Sequence, residues 1–458
     1  MSGFSRRRTY AGFPARRFAV GLAAVLAFLY LVFLLATLPT VPFHPDEATY
    51  IYMSRDLDRI FLSGPATVCW SAANAADPLQ TERERDAPLA RYIIGAARVL
   101  GGLPATDANW DWTADWDENL LRGAVPSGEL LFLSRIPQAL LLFFSVLLIA
   151  RVGWRLGGGP GAAAAAILYG VNSQVLLHGR RAMSEAALLF GMILTAAVLM
   201  EQRREAGRAV RCFGWPLAAG AATALAVSAK YSGLLVLPVA LAGMFLFTGG
   251  TTPRRSLLLG VARSGVLILG FLAVFLALNP VYWCDPGGTL AAVVAERRRL
   301  LAEQVAALRI AAPMQVLDSL PLRWMAPVYE WFIAPPSFWE IPNYTGITAA
   351  AEQAYLARPW NTLTSGGIGP GISAVLALFG LGWAGWKGIR RHADGPQILA
   401  MIWFLSVFAG ILVGVPILWQ RYYLPLLPAG AALSAGAVGA MADRVRKERD
   451  RISRIGQD

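Results

Sequence analysis

Apolar runs alternate with short polar breaks along most of the chain, and the breaks carry most of its charge. A bilayer core about 30 Å thick takes roughly 20 residues of apolar helix to cross. Windows on that scale predict about ten spans, at 18–38, 130–152, 160–178, 183–200, 214–229, 231–248, 258–280, 371–390, 397–418 and 421–441. Two long segments interrupt the series, 39–129 and 281–370. Both mix Trp, Pro and short amphipathic stretches, such as Leu290 to Ile310 with its Glu296-Arg297-Arg298-Arg299 face, which suit helices lying at the membrane interface. The expected fold is all-α: one polytopic membrane domain over 1–458, with interfacial helices in 39–129, a second large segment at 281–370 and a basic tail at 442–458.

Composition agrees with that pattern. Of 458 residues 56% are hydrophobic and 15% charged, too little polar surface to cover a soluble protein of this length. The net charge of +12 does not point to nucleic acid, because the basic residues sit in short segments between spans. They are Arg6, Arg7, Arg8, Arg16 and Arg17; Arg151 and Arg155; Arg203, Arg204, Arg208 and Arg211; Arg254 and Arg255; Lys387, Arg390 and Arg391; and Arg444, Arg446, Lys447, Arg449, Arg451 and Arg454 in the tail. With the N-terminus inside, every one of these segments is cytoplasmic, as the positive-inside rule requires. Both termini are then expected in the cytoplasm of a cell with this protein in its plasma membrane, and both long segments outside. The first apolar run ends at Pro39 and Pro42 without a small-x-small cleavage site, so it reads as an uncleaved helix. No large soluble tail follows the tenth span, and no separate acceptor-selecting domain is expected.

The candidate chemistry gathers on the outer side. Asp46 and Glu47 follow the first span within His44-Pro45-Asp46-Glu47. They suit a helix N-terminus, and equally a general base that takes a proton from a hydroxyl. Glu185 opens the fourth span next to His178-Gly179-Arg180-Arg181, a basic pair on the side where the charge bias disfavours one. An anionic ligand, or pairing with Asp46 or Glu47, would account for it. Arg135, Arg180, Lys230 and Arg421 lie at four separate helix junctions at one membrane depth, with Tyr422 beside the last. Such a ring of cations suits a lipid phosphate. Trp110-Asp111-Trp112 and Trp116-Asp117 could stack on a sugar, or could belong to an ordinary aromatic belt. Cys69 and Cys284 both fall outside, where a bridge can form, but two unrelated loop cysteines are more often unpaired. Cys212 is inside. Asn343-Tyr344-Thr345 has the form of a glycosylation acceptor. No metal-ligand spacing, P-loop or dinucleotide fingerprint occurs.

The order and sidedness of these pieces resemble the GT-C glycosyltransferases, in the branch of the protein O-mannosyltransferases and aminoarabinose transferases (glycosyltransferase family 39/83-like). Asp46-Glu47 matches that family's acidic pair, and Asp86-Ala87-Pro88-Leu89-Ala90-Arg91 is similar to its His-Pro-Pro-Leu-Gly-Lys stretch. Leu133-Ser134-Arg135-Ile136-Pro137, Arg180 through Glu185, Ala229-Lys230-Tyr231 and Arg421-Tyr422-Tyr423 through Pro428 correspond to further motifs. Asp86 stands where the family prefers His or Lys, Ala87 where it prefers Pro, Arg91 replaces Lys, and Glu185 replaces Asp. The resemblance implies an inverting transfer of a hexosyl or pentosyl group from a polyprenyl-phosphate sugar to a hydroxyl of a protein, lipid or glycan. Asp46 would be the base, with Glu47 or Glu185 positioning it or the acceptor. Arg91, Arg135, Arg180, Lys230, Arg421 and Tyr422 would bind the departing phosphate. That chemistry requires no cofactor and leaves a divalent metal optional and unsupported. A transporter or flippase of lipid-linked sugars is the rival reading, but such proteins place ionisable groups near the bilayer midplane, not at one face.

Overall fold

The computed structural model describes residues 13–202, 209–247, 252–332, 334–338, 344–365, 368–390 and 395–455. Arg6, Arg7, Arg8, Arg203, Arg204, Arg208, Arg391 and Asn343 lie outside the described residues, as do the side chains of Arg16, Arg17, Arg211 and Cys212. Within the described residues the chain is helical, with one isolated antiparallel bridge between Val316 and Ile417.

Helix α1 (Phe13–Ala36) leads into a first group of short helices: α2 (Pro45–Met53), α3 (Arg55–Ser63), α4 (Pro78–Arg85), α5 (Leu89–Leu100) and α6 (Trp116–Leu121). The chain then enters α7 (Gly128–Gly170), α8 (Ser173–His178), α9 (Glu185–Glu201), α10 (Ala209–Ala229), α11 (Leu237–Leu246) and α12 (Pro253–Leu278). A second short-helix group holds α13 (Pro286–Ala311), α14 (Leu320–Phe332), α15 (Thr345–Leu356) and α16 (Pro359–Thr362). Helices α17 (Ile368–Ile389), α18 (Gly395–Gly414) and α19 (Leu426–Ile455) complete the chain. Five described helices, α7, α12, α17, α18 and α19, include stretches long and apolar enough to cross a bilayer. Shorter apolar helices lie at Val20–Ala36, Phe213–Ala229 and Tyr231–Leu246. The protein is an integral membrane protein, although the expected ten spans are not reproduced as ten full-length crossings.

The largest departure from the expected boundaries has a local cause. The spans expected at 130–152 and 160–178 join in α7, which is broken by non-helical backbone at Gly157 and Gly158. Gly158 has φ of +63°, a conformation that a side chain would strain. A Cβ on Gly157 would stand 2.2 Å from the Ala435 carbonyl oxygen, so glycine lets α7 and α19 touch backbone to backbone. Asn172 then starts α8 by accepting from the Gln174 and Val175 amides at 3.0 and 3.1 Å, which ends the third expected span early.

The two short-helix groups are docked to each other. Arg85 on α4 donates to Glu296 on α13 at 2.6 Å, so the Glu296–Arg299 face is a helix contact. Cys69 and Cys284 are bridged, with Cα atoms 5.7 Å apart across 215 residues of sequence, which corrects the expectation that they stay apart. The Trp70 amide donates to the Val281 carbonyl at 2.9 Å and brings the two loops together. Cys284→Ser, or reduction in detergent, should lower stability by about 2–4 kcal/mol. Thermal melting with and without reductant measures this, and three free thiols in the untreated, denatured protein instead of the one from Cys212 would refute the bridge.

Candidate active site

Helix α2 begins with a capping box. The His44 ring Nδ1 accepts from the Asp46 amide at 3.1 Å, the Glu47 carboxylate accepts from the His44 amide at 3.0 Å, and Pro45 occupies the first turn. Consecutive helical residues point about 100° apart, so the adjacent carboxylates diverge. Glu47 turns inward and is fully buried. Its Oε1 accepts from Arg135 Nε at 2.7 Å and the Ala182 amide at 2.8 Å. Its Oε2 accepts from Arg135 Nη2 at 2.7 Å. Burial alone would raise the Glu47 pKa, but the Arg135 charge and hydrogen bonds, Arg181 and the Ala182 amide hold it below the ordinary carboxylate range.

Asp46 turns to the other side. Its carboxylate is 21% exposed and pairs with the Arg421 guanidinium, itself 10% exposed. Next to that pair, Lys230 donates to buried Glu185 at 2.8 Å and lies 5.3 Å from the Tyr422 ring centroid. The Tyr422 hydroxyl reaches Gln304 of α13 at 3.3 Å, and Glu185 Oε2 is buried without a hydrogen-bond partner among the described residues. Two neighbours register the density of negative charge here. Burial, then the Asp86 and Glu185 carboxylates, push the Tyr50 hydroxyl well above its ordinary pKa. Burial, opposed by Arg85 and reinforced by Asp86 and Asp46, raises Glu82 to about 7.

The structure thus brings Asp46, Glu185, Lys230, Arg421 and Tyr422 together from four parts of the chain. Arg91 borders the group: it is buried, sits 3.6 Å from Asp56, and is near Asp86 and Tyr231. Two cations of the expected ring lie elsewhere. Arg135 directs all five of its donors to protein: two to Glu47 and the rest to the Leu38, Val41 and Pro42 carbonyls. Arg180 is equally buried, donating to the Leu176 carbonyl, Thr37, Tyr355 and Asn361. Both hold chain segments together, so neither presents a fork to a phosphate.

Three features had no signal in the sequence. Asp56 is buried between Arg83, which donates to it at 2.6 and 3.0 Å, and Arg91. Glu330 is buried on α14, accepts from Gln420 at 3.2 Å and is raised by burial to about 7. Gln420 in turn accepts from the Ser337 amide at 2.8 Å and meets the His178 ring at 3.4 Å. Asp56 is one of four charged residues within Arg55 to Arg59, Glu330 lies between Tyr329 and Trp331, and Gln420 between Trp419 and Arg421, so nothing local marks them and only the fold supplies their partners. Trp110 is buried, packing on Tyr344 at 5.3 Å and Trp116 at 5.5 Å between ring centroids, so it is part of an aromatic core rather than an open sugar platform. Among the described residues no three His, Cys, Asp or Glu side chains converge as metal ligands.

Solved structures share this architecture. ArnT from Cupriavidus metallidurans matches in its apo state with a TM-score of 0.53 at 16% identity. The same protein bound to undecaprenyl phosphate matches at 0.52 and 17%. Each match covers 92% of this chain and 60% of that one. The archaeal oligosaccharyltransferase AglB from Archaeoglobus fulgidus, in complex with an inhibitory peptide and a dolichol-phosphate, matches at 0.52 and 15%, covering 95% of this chain and 52% of that one. The fold is therefore of the GT-C membrane glycosyltransferase class, as the sequence motifs suggested. Within that class, residues 86–284 match the family model of dolichyl-phosphate-mannose-protein mannosyltransferases. The chain spans about half the length of the solved proteins it matches. No curated protein sequence matches it.

The buried acids make opposite predictions for pH. Glu47, lowered in the fold, contributes stability that is present at neutral pH and lost only as pH falls through its depressed pKa. Glu330, raised from 4.5 to about 7, contributes stability below about pH 4.5 that is lost as pH rises through about 7. Glu330→Gln should therefore flatten the fall in melting temperature between roughly pH 5 and 8. Glu47→Ala, which leaves Arg135 buried and unpaired, should cost about 3–5 kcal/mol at neutral pH. Melting curves across that range test both, and an unchanged pH slope in Glu330→Gln would contradict the first.

Proposed function

We propose that the protein transfers a sugar from a polyprenyl-phosphate carrier to a hydroxyl acceptor at the extracytoplasmic membrane face, with both chain ends in the cytoplasm. The observation that carries this reading is the meeting of Asp46, Glu185, Lys230 and Arg421 from α2, α9 and two inter-helix turns in one largely buried cluster that keeps some exposure at Asp46, Lys230 and Arg421. A carboxylate beside two cations is what removal of a hydroxyl proton and departure of a phosphate together require. The match to mannosyltransferases over 86–284 and the fold shared with ArnT and AglB support the same chemistry.

In this reading the acceptor oxygen attacks the anomeric carbon as the carbon–oxygen bond to phosphate breaks, inverting that centre. The hydroxyl proton passes to Asp46, and the bonding electrons leave with the phosphate. Arg421 pairs with Asp46 in the protein itself. A phosphate offers this guanidinium a more highly charged partner, so donor binding would draw Arg421 away and release Asp46 as a base. Lys230 would meet the same phosphate while Glu185 holds the ammonium in place, and Tyr422, anchored on Gln304, forms a wall beside it. Arg91 would act from the margin. Glu47 and Arg135 position α2 without touching substrate.

Membrane vesicles containing the full chain, given radiolabelled polyprenyl-phosphate sugars and fractionated for products, test the proposal. Asp46→Asn should lower transfer by about 10²–10⁴-fold while the protein still inserts and retains donor. Arg421→Ala should lower it by about 10²–10³-fold. Undiminished turnover by Asp46→Asn would remove Asp46 as the base.

A further inference from the structure

A polar cavity of about 310 Å³ opens among α7, α17, α18 and α19, at the Gly157–Gly158 break of α7 and so at the far end of that helix from Arg135, which holds Glu47. The α7 residues that line it lie some 30 residues beyond the helix start, about 40 Å at 1.5 Å per residue. Its walls include Gly158 at the α7 break, Trp383 and Lys387 of α17, Gln397 of α18, and Asp443 and Arg446 of α19.

Three observations make this more than a packing gap. Irregular backbone within a membrane domain is tolerated where it is buried in protein or lines a wet cavity, and the α7 break at Gly157 and Gly158 lines this one. Two lining residues carry buried polar atoms with no hydrogen-bond partner among the described residues: Trp383 Nε1, a donor, and Gln397 Oε1, an acceptor. Finally, the charges of Lys387 and Arg446 outweigh that of Asp443, and the Lys387 ammonium is 5.2 Å from the Trp383 ring centroid, beside that unused donor. Beyond the cavity α19 continues with Lys447, Arg449, Arg451 and Arg454.

We infer that this cavity binds the phosphate headgroup of an anionic membrane lipid, from the leaflet opposite the carboxylate–cation cluster. Phosphate oxygens accept from Trp383 Nε1 and pair with Lys387 and Arg446. A hydroxyl on the headgroup, as in a glycerol phosphodiester, donates to Gln397. Basic pockets between spans, followed by a basic juxtamembrane helix, attract phosphate-bearing lipids in this way. The site is independent of the transfer chemistry, and binding alone reads it out.

The test uses the purified full chain in neutral detergent, with lipid retention followed by native mass spectrometry and by melting temperature. Phosphatidylglycerol should be retained and raise the melting temperature, whereas phosphatidylcholine should do neither. Lys387→Gln with Arg446→Gln should weaken retention by about tenfold or more. Trp383→Phe, which keeps the ring and removes the donor, should weaken it severalfold. Each variant is first matched to the parent in lipid-free melting, so that a folding defect is not read as lost binding. Equal retention by the charge variant and the parent would overturn the site. Inorganic phosphate that stabilises the parent as well as the lipid does, and displaces it, would overturn the lipid as ligand.

Discussion

The burial of the Glu47–Arg135 pair constrains everything around the candidate site. Removing a carboxylate and a guanidinium from water costs several kcal/mol each unless their hydrogen-bonding capacity is met by protein. Here it is met: the carboxylate receives four hydrogen bonds and the guanidinium's donors all find acceptors. Those partners come from residues 38–47, from α7 and from the turn at 182, so satisfying the pair fixes three separate segments at once. It also sets the rotation of α2. With Glu47 locked inward, Asp46 turns to the other side of the helix, where Arg421 pairs with it.

This division sorts the cations on that side of the molecule. Arg135 and Arg180 are buried and engaged by protein, whereas Lys230 and Arg421 keep 14% and 10% exposure beside carboxylates. Arg421 can exchange partners because the Asp46 carboxylate it would leave is 21% exposed, and Lys230 can take on a further anion while it stays paired with buried Glu185. A ligand phosphate can therefore be met by Lys230 and Arg421 at small cost, while withdrawing Arg135 would unravel the scaffold that aims Asp46. The Cys69–Cys284 bridge and the Arg85–Glu296 contact extend the scaffold outward, holding the two short-helix groups against each other so that Gln304 of α13 reaches Tyr422.

Much of this was legible before the fold. Apolar windows place α9, α12, α17 and α18 within a few residues, because bilayer thickness dictates their length. The motifs around Asp46, Lys230 and Arg421 lead to the right class of fold, since each sits at a helix junction where a charge is costly without a purpose. What the sequence conceals is partnership. Arg135, Arg180 and Arg421 are the same residue type at the same expected depth, and nothing local distinguishes a guanidinium that braces the backbone from one that meets Asp46. The Cys69–Cys284 bridge depends on a backbone contact between loops 215 residues apart. The break in α7 reads in sequence as a Gly-rich turn between spans, and the cavity that it lines appears only once α17 and α19 are in place.

The central claim is that Asp46 and Lys230, far apart in the sequence, share one compartment and one cavity. Single cysteines at positions 46 and 230, in a chain carrying Cys212→Ser and keeping the native bridge, can be probed with a membrane-impermeant thiol reagent on sealed vesicles of known orientation. Both should react from the extracytoplasmic side, and a polyprenyl phosphate should protect both. Labelling of the two positions from opposite sides of the membrane would contradict the account.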